Sequence, residues 1–135
     1  MLGQKIGEES GRVTGRRILE GGDYRYVKME VTFETTATIL GRPGVNMGTY
    51  TVFERVPGQL YGEGRGIFIA NDGESAIWNG HGVGHATDGM GLALAASVAF
   101  QASEGLAALN GVLTLVEHAT DGDGNARSTL YEWKA

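Results

Sequence analysis

The sequence predicts an all-β protein, a single small antiparallel β-barrel of eight strands that occupies residues 1–135. Apolar and polar residues alternate with a period of two over long stretches, which is typical of half-buried strands. Glycines combined with Asp, Asn or Pro separate these stretches and mark tight turns. No strand–helix–strand pattern repeats, so neighbouring strands should be antiparallel. Eight strands suffice to close a barrel around side chains or one small ligand.

Composition and charge narrow the functional classes. The chain of 135 residues is long enough for one domain with a core, and it has no cysteine, which excludes disulfides and a thiol nucleophile. The net charge of −5 is spread along the chain, which argues against nucleic-acid binding. Neither a signal peptide nor an apolar run of roughly 20 residues is recognisable. We therefore expect a cytoplasmic protein with no membrane partner.

The clearest strand signal lies within Tyr24–Leu40, where odd positions from Val27 to Ile39 are mostly apolar and even positions mostly polar. A segment rich in helix formers at 102–109 predicts a short helix of about two turns. Residues 4–19 are predicted to form one bent strand or two short ones. The other predicted strands lie at 24–40, 45–56, the two arms of 60–84, 92–101, 112–119 and 126–134.

The glycine-rich segment Leu60–Gly84 is predicted to form a long hairpin about a two-residue Asp72-Gly73 loop. Such a loop pairs Phe68 with Ile77 and places every glycine opposite a larger residue. Small residues against large ones suit a tightly curved wall. The hairpin should therefore form one side of the barrel.

Similar turns at 42–44 and 57–58 extend this pattern to the two preceding strands. Because side chains alternate between the two faces of a strand, one face collects most of the apolar residues. We take this face as the interior and as the candidate ligand-binding surface. Its residues are Phe33, Met47, Thr51, Phe53, Phe68, Ile77 and Val83.

Two polar residues of the hairpin, Asn79 and His81, share this predicted inner face. Histidine titrates near neutral pH and can act as an acid or a base in a dry pocket. We expect His81 to be the catalytic group and Asn79 to orient it. The alternative is a structural histidine that a neighbouring group holds by a hydrogen bond.

Glu117 is a third catalytic candidate, because it shares a strand face with Leu113 and Leu115. Its position near a strand end is equally compatible with a solvated side chain. No metal site is predicted. His81 and His85 lie four strand residues apart, about 13 Å, which is too far for one ion. No phosphate-binding loop follows from the glycines either, and no cofactor is expected.

Six short segments carry a resemblance to known proteins. They are NMGTY (46–50), LYGEGRG (60–66), DGE (72–74), WNGHGVG (78–84), LNGV (109–112) and YEW (131–133). These segments resemble a family of small uncharacterised bacterial proteins whose fold is similar to the plant allene oxide cyclase barrel, and the resemblance covers most of the chain from Val27 onward. It implies an eight-stranded barrel with an apolar cavity, and relatives of that barrel include isomerases and cyclases that are often oligomeric. It transfers no catalytic residue to this chain.

Three functions compete at this point. The first is a cofactor-independent isomerase, cyclase or lyase that acts on a small apolar substrate. The second is a non-catalytic barrel that binds a small hydrophobic molecule, as lipocalin-type barrels do. The third is a structural protein whose outer face, with Tyr50, Tyr61 and Trp78, forms a homo-oligomer. The first two share the description of a small-molecule-binding barrel, which we prefer.

Overall fold

Eight antiparallel strands close into one barrel in chain order, with the first strand paired to the last. The computed structural model describes residues 2–23 and 26–133. The predicted fold class is confirmed. The elements are β1 (Leu2–Asp23), β2 (Tyr26–Ile39), β3 (Arg42–Val56), β4 (Gln59–Ala70), β5 (Ser75–Ala86), β6 (Leu92–Ala102), a 3-10 helix (Glu104–Gly111), β7 (Leu113–Thr120) and β8 (Asn125–Trp133).

The alternation in β2 produces the expected two-faced strand. Val31, Phe33 and Ile39 are buried, while Glu34 and Thr38 between them are exposed. The expected ends of this strand at Tyr24 and of the last strand at Lys134 lie outside the described residues. No helix in the described part of the chain is long and apolar enough to cross a membrane.

The core consists of two clusters inside the barrel. One lies next to the 3-10 helix, where Leu106 and Leu109 are fully buried against residues such as Phe68. The other contains Val31, Phe33, Tyr50, Val52 and Ala126. Trp78 packs against both clusters and so connects them.

The β4–β5 loop has three residues, 71–73, and not the predicted two. The Ala70 N–H donates to the Glu74 carbonyl at 2.8 Å, and the last loop residue is a glycine with φ of 92°. Phe68 therefore pairs with Ala76, one residue away from the expected partner. A shift of one residue exchanges the two faces of β5. The inner-face prediction is thus wrong for Ile77, Asn79, His81 and Val83.

The β2–β3 turn also differs from the prediction. It is formed by Leu40-Gly41, both with positive φ (50° and 77°), and not by residues 42–44. Two residues with positive φ are the geometry of a two-residue hairpin turn. Consequently Phe33 pairs with Gly48.

The β3–β4 turn at Pro57-Gly58 pairs Val56 with Gln59 as expected, but a bulge just before Val56 shifts the rest of the strand. Met47 therefore lies opposite Ile67 on the outside of the barrel. The inner-face prediction is wrong for Met47, Thr51 and Phe53.

The prediction that every glycine of β4 and β5 lies opposite a larger residue is wrong. Gly62 pairs with Gly82, and Gly64 pairs with Gly80. These four glycines line the interior cavity. Because they project no side chain, this side of the barrel is bare backbone and leaves space inside.

Candidate functional site

The barrel encloses a cavity of about 90 Å³ between its two core clusters. The bare β4–β5 wall forms one side of it. Most of the lining is apolar, and a single group of polar side chains faces the remaining space. The apolar lining includes Phe33, Ile39, Leu94, Ala96, Val98, Phe100, Val116 and Leu130, and the polar side chains are Glu9, Asn46, Tyr50, Trp78, His118 and Ser128.

Three of the polar residues form a row across adjacent strands. His118 on β7 pairs with Ser128 on β8, and Ser128 pairs with Glu9 on β1. Each lies at an inward position of its strand and is buried. The closure of β1 onto β8 is what brings the carboxylate to the histidine.

Glu9 is a buried carboxyl group surrounded by neutral hydrogen-bond donors. Its Oε2 accepts from Thr35 Oγ1 at 2.9 Å and from Asn46 Nδ2 at 2.7 Å, and its Oε1 accepts from Ser128 Oγ at 2.8 Å. No salt bridge reaches it from the described residues. Hydrogen bonds of this kind are what a buried charge requires when no counter-ion is present.

Trp78 determines the orientation of the Asn46 amide. The indole Nε1–H donates to Asn46 Oδ1 at 2.8 Å. An indole nitrogen can only donate, so the Oδ1 end of the amide must face it and the Nδ2 end must face Glu9. The Glu9 Oε2 atom is therefore an acceptor.

Glycines make room for the Trp78 ring inside the barrel. A Cβ atom at Gly48 would lie 2.6 Å from Trp78 Cζ2 and 2.7 Å from Phe33 Cζ, closer than packed side chains allow. The Phe33 and Trp78 rings are stacked with centroids 6.3 Å apart. Together they form one apolar wall of the cavity.

His118 connects the carboxylate row to Tyr50. Its Nδ1 lies 2.7 Å from Ser128 Oγ, and its Nε2 lies 3.3 Å from the Tyr50 hydroxyl. Burial lowers the pKa of His118 to about 4, so the imidazole is neutral at pH 7. Burial also raises the pKa of the Tyr50 phenol, against a smaller opposite effect of Arg16. Both groups are therefore neutral at pH 7.

The structure separates the predicted site residues. Phe33 and Phe68 are inside and buried. The side chains of His81, Asn79 and Glu117 are exposed on the outer face, although His81 lies in the wall between two cavity glycines. Their catalytic roles stay predictions, but the inner location of His81 and Asn79 is wrong. Of the predicted ligand contacts, Met47, Ile77 and Val83 are exposed, and Thr51 and Phe53 are partly buried on the outer face.

Sequence reasoning missed the polar interior group and wrongly placed two of its members, Tyr50 and Trp78, on the outer face. A usable signal was the alternation of Thr114, Val116, His118 and Thr120 on β7, which are opposite in phase to Glu117. Glu9, between Gly7 and Gly11, follows the same kind of inward phase on β1. Within the described residues, no three His, Asp or Glu side chains cluster closely enough to hold a metal ion.

These observations define the class of the protein as a closed eight-stranded antiparallel β-barrel with a polar network beside an internal cavity. Two solved structures are similar over nearly the whole chain. A protein of unknown function from Clostridium acetobutylicum ATCC 824 has a TM-score of 0.81 and 11% identity, covering 97% of this chain and 98% of its own. A conserved protein of unknown function from Rhodopseudomonas palustris has a TM-score of 0.77 and 11% identity, covering 98% and 97%.

At this level of identity the two neighbours show a shared fold and nothing about activity. No family model matches the chain, and no curated protein matches it. Function has to be argued from the cavity itself.

Proposed function

We propose that this protein is a small-molecule-binding barrel that holds one small, mostly apolar ligand in its interior cavity. The observation that supports the proposal is the apolar cavity with one buried polar side, where Tyr50 and His118 meet the cavity space. Pockets with this composition bind small molecules through apolar contacts and use a few polar groups to orient them.

The cavity volume limits the ligand. At about 90 Å³ it is smaller than the engineered apolar cavity of roughly 150 Å³ that binds benzene. A ligand of a few carbon atoms with one polar group fits this space, as does the end of a longer chain. Phe33 and Trp78 would contact the apolar part, and Tyr50 would contact the polar group.

A second candidate is a cofactor-independent isomerase, cyclase or lyase, which is also the activity that the resemblance to the allene oxide cyclase barrel suggests. It is favoured by the buried, neutral His118, which lies between the Tyr50 phenol and Ser128, whose hydroxyl group donates to Glu9. Groups arranged in this way can give and take protons during catalysis. In this proposal His118 takes the role that the sequence suggested for His81.

Xenon binding tests the proposed cavity without knowledge of the natural ligand. Ala96 faces the cavity from β6, and Ala99 is exposed on the outer face of the same strand. We expect Ala96→Leu to fill the cavity and weaken xenon binding at least about tenfold, measured by ¹²⁹Xe NMR. Ala99→Leu is the matched control and should leave it unchanged. Equal binding by both variants would contradict the proposal.

Hydrogen exchange of a small ketone separates the two candidates. An acid–base enzyme should accelerate exchange of the α-protons of cyclobutanone in D₂O, and His118→Gln should abolish the acceleration. A binding protein should bind the ketone without accelerating exchange. Proton NMR of the ketone follows both outcomes directly.

The expected homo-oligomer is a further part of the proposal. Met47, Ile67 and Ile77 lie side by side across β3, β4 and β5 on the outer face, and Met47 and Ile77 are exposed. Exposed apolar patches of this kind commonly mark contact surfaces. Sedimentation velocity should detect an oligomer that Ile77→Glu dissociates, and a wild-type monomer would contradict it.

A further inference from the structure

We propose that Tyr50, His118, Ser128 and Glu9 form one hydrogen-bond relay, whose direction is set by the proton on Glu9 and decides whether Tyr50 offers the cavity ligand an acceptor or a donor. The four groups are joined in this order by contacts of 3.3, 2.7 and 2.8 Å. The inference rests on the proposed ligand-binding function of the cavity.

One end of the relay is fixed. Trp78 orients Asn46, and the Asn46 amide donates to Glu9 Oε2, so this oxygen cannot carry a proton that points toward the amide. Thr35 Oγ1 also donates to Oε2 at 2.9 Å, the shorter of its two acceptor contacts, the other being the Asn46 carbonyl oxygen at 3.3 Å. While both donors are on Oε2, a proton on the carboxyl group lies on Oε1, which faces Ser128. The relay is thus coupled to Glu9 through a single oxygen atom.

With Glu9 ionised, every donor in the relay points toward the carboxylate. Ser128 uses its hydroxyl hydrogen on Oε1, so its oxygen must accept the hydrogen from His118 Nδ1. A neutral imidazole with hydrogen on Nδ1 has a bare Nε2, which accepts the Tyr50 hydroxyl hydrogen. Tyr50 then has only oxygen lone pairs left for the cavity.

With Glu9 protonated, the same contacts run in the opposite direction. The Oε1 hydrogen is donated to Ser128, Ser128 donates to His118 Nδ1, and the imidazole carries its hydrogen on Nε2. That hydrogen is donated to the Tyr50 oxygen, which frees the phenol hydrogen for the cavity. One proton on Glu9 therefore changes what the cavity offers.

The two states prefer different ligand chemistry. An ionised Glu9 selects a ligand with a hydroxyl group, because only a donor satisfies the Tyr50 oxygen. A carbonyl ligand would meet lone pairs only, and an unmatched polar contact in a buried site is costly. With Glu9 protonated, the Tyr50 hydroxyl group donates to a carbonyl ligand. A hydroxyl ligand still binds, because its oxygen can also accept this hydrogen.

The His118 tautomer tests the relay without any ligand. Long-range ¹H–¹⁵N correlation spectra at pH 7 identify which imidazole nitrogen carries hydrogen. We expect Nδ1–H in the wild-type protein. A hydrogen on Nε2 in the wild type would overturn the proposal, and this measurement depends on no variant.

Glu9→Gln should reverse the tautomer. Its amide oxygen can keep the Asn46 contact, and its NH₂ group then donates to Ser128, as the protonated carboxyl group would. We expect His118 to carry its hydrogen on Nε2 in this variant. In the Ser128→Ala background the Glu9→Gln change should no longer affect the tautomer. An unchanged tautomer in Glu9→Gln, or an effect that survives without Ser128, would overturn the relay.

A matched ligand pair tests the consequence for binding. We expect wild-type protein to bind cyclobutanol about tenfold more tightly than cyclobutanone. In Glu9→Gln the ketone should gain about tenfold, while the alcohol changes little. An equal preference in both proteins would overturn the ligand assignment. If xenon and both ligands fail to bind while the tautomer reverses in Glu9→Gln, the proposed function is wrong and the relay is supported. If xenon and the ligands bind but the tautomer does not reverse, the relay is wrong and the binding function is supported.

Discussion

Glu9 accepts hydrogen bonds from several strands in the barrel interior. Its side chain is only 8% exposed, and the donors that surround it come from β2, β3 and β8. An ionised group in such a place is stabilised only while its hydrogen bonds are made. Each surrounding hydroxyl or amide should therefore affect stability more than its size suggests.

Two buried threonines provide a direct comparison of used and unused hydroxyl groups. Thr114 is fully buried, and its Oγ1 has no hydrogen-bond partner among the described residues, whereas Thr35 Oγ1 donates to Glu9. We expect Thr114→Val to raise the free energy of unfolding by about 1 kcal/mol, and Thr35→Val to lower it by about 1–3 kcal/mol. Urea denaturation measures the free energy of unfolding of both variants. A lower value for Thr114→Val than for the wild type would contradict a Thr114 hydroxyl group without a partner among the described residues.

His118 should make the stability depend on pH. Histidine titrates near pH 6.5 in an unfolded chain, and burial lowers the pKa of His118 to about 4 in the folded protein. Between these values the unfolded chain binds more protons, so the free energy of unfolding rises with pH. The contribution is fully present above about pH 6.5 and is lost towards pH 4, on the order of 3 kcal/mol.

Urea denaturation between pH 7.5 and 4.5 measures this slope. His118→Gln should reduce it, while His81→Gln, which removes an exposed histidine on the outer face, should leave it as in the wild type. A slope that is unaffected by His118→Gln would show that this histidine is not buried in the neutral form.

The contacts between individual side chains inside the barrel could not be predicted from the sequence. Glu9 contacts Asn46 and Ser128, which are 37 and 119 positions away in the chain. These contacts depend on the register of several strands at once. The sequence shows the inward phase of each strand separately, and no local pattern indicates which inward residues become neighbours.

The strands were predictable, and the inner faces of β2 and β4 were predicted correctly, whereas those of β3 and β5 were not. The number and approximate limits of the strands follow from alternation and turn residues, and the 3-10 helix falls at the predicted segment. The inner and outer faces of β3 and β5 were predicted in reverse. Two loops differ by one residue from their predicted lengths, and a bulge that was not predicted adds a residue to β3. Alternation with a period of two converts a one-residue error into a complete exchange of faces.

The glycines of β4 have different functions that substitution can separate. A Cβ atom at Gly66 would overlap the Met47 carbonyl oxygen and the Trp78 ring, whereas at Gly62 the nearest atom is a Val52 methyl group at 3.2 Å. We expect Gly66→Ala to lower the free energy of unfolding by about 2–3 kcal/mol, and Gly62→Ala by less than about 1 kcal/mol. Thermal or urea denaturation compares the two; equal effects would contradict this packing of Trp78.

The interior of the whole barrel combines two packed core clusters with a cavity. Leu106 and Leu109 fill the region near the 3-10 helix, and the second cluster fills the region around Val31 and Val52. The glycines of β4 and β5 leave the cavity between them. Two bacterial proteins with 11% identity share this fold, so the barrel itself tolerates nearly complete sequence change.

A crystal structure with cyclobutanol soaked into the protein tests whether the cavity beside Tyr50 is the ligand site. We expect the ring against Phe33 and Trp78, with the alcohol oxygen at hydrogen-bond distance from the Tyr50 oxygen. An empty cavity, or cyclobutanol bound only on the outer face near His81, would contradict it.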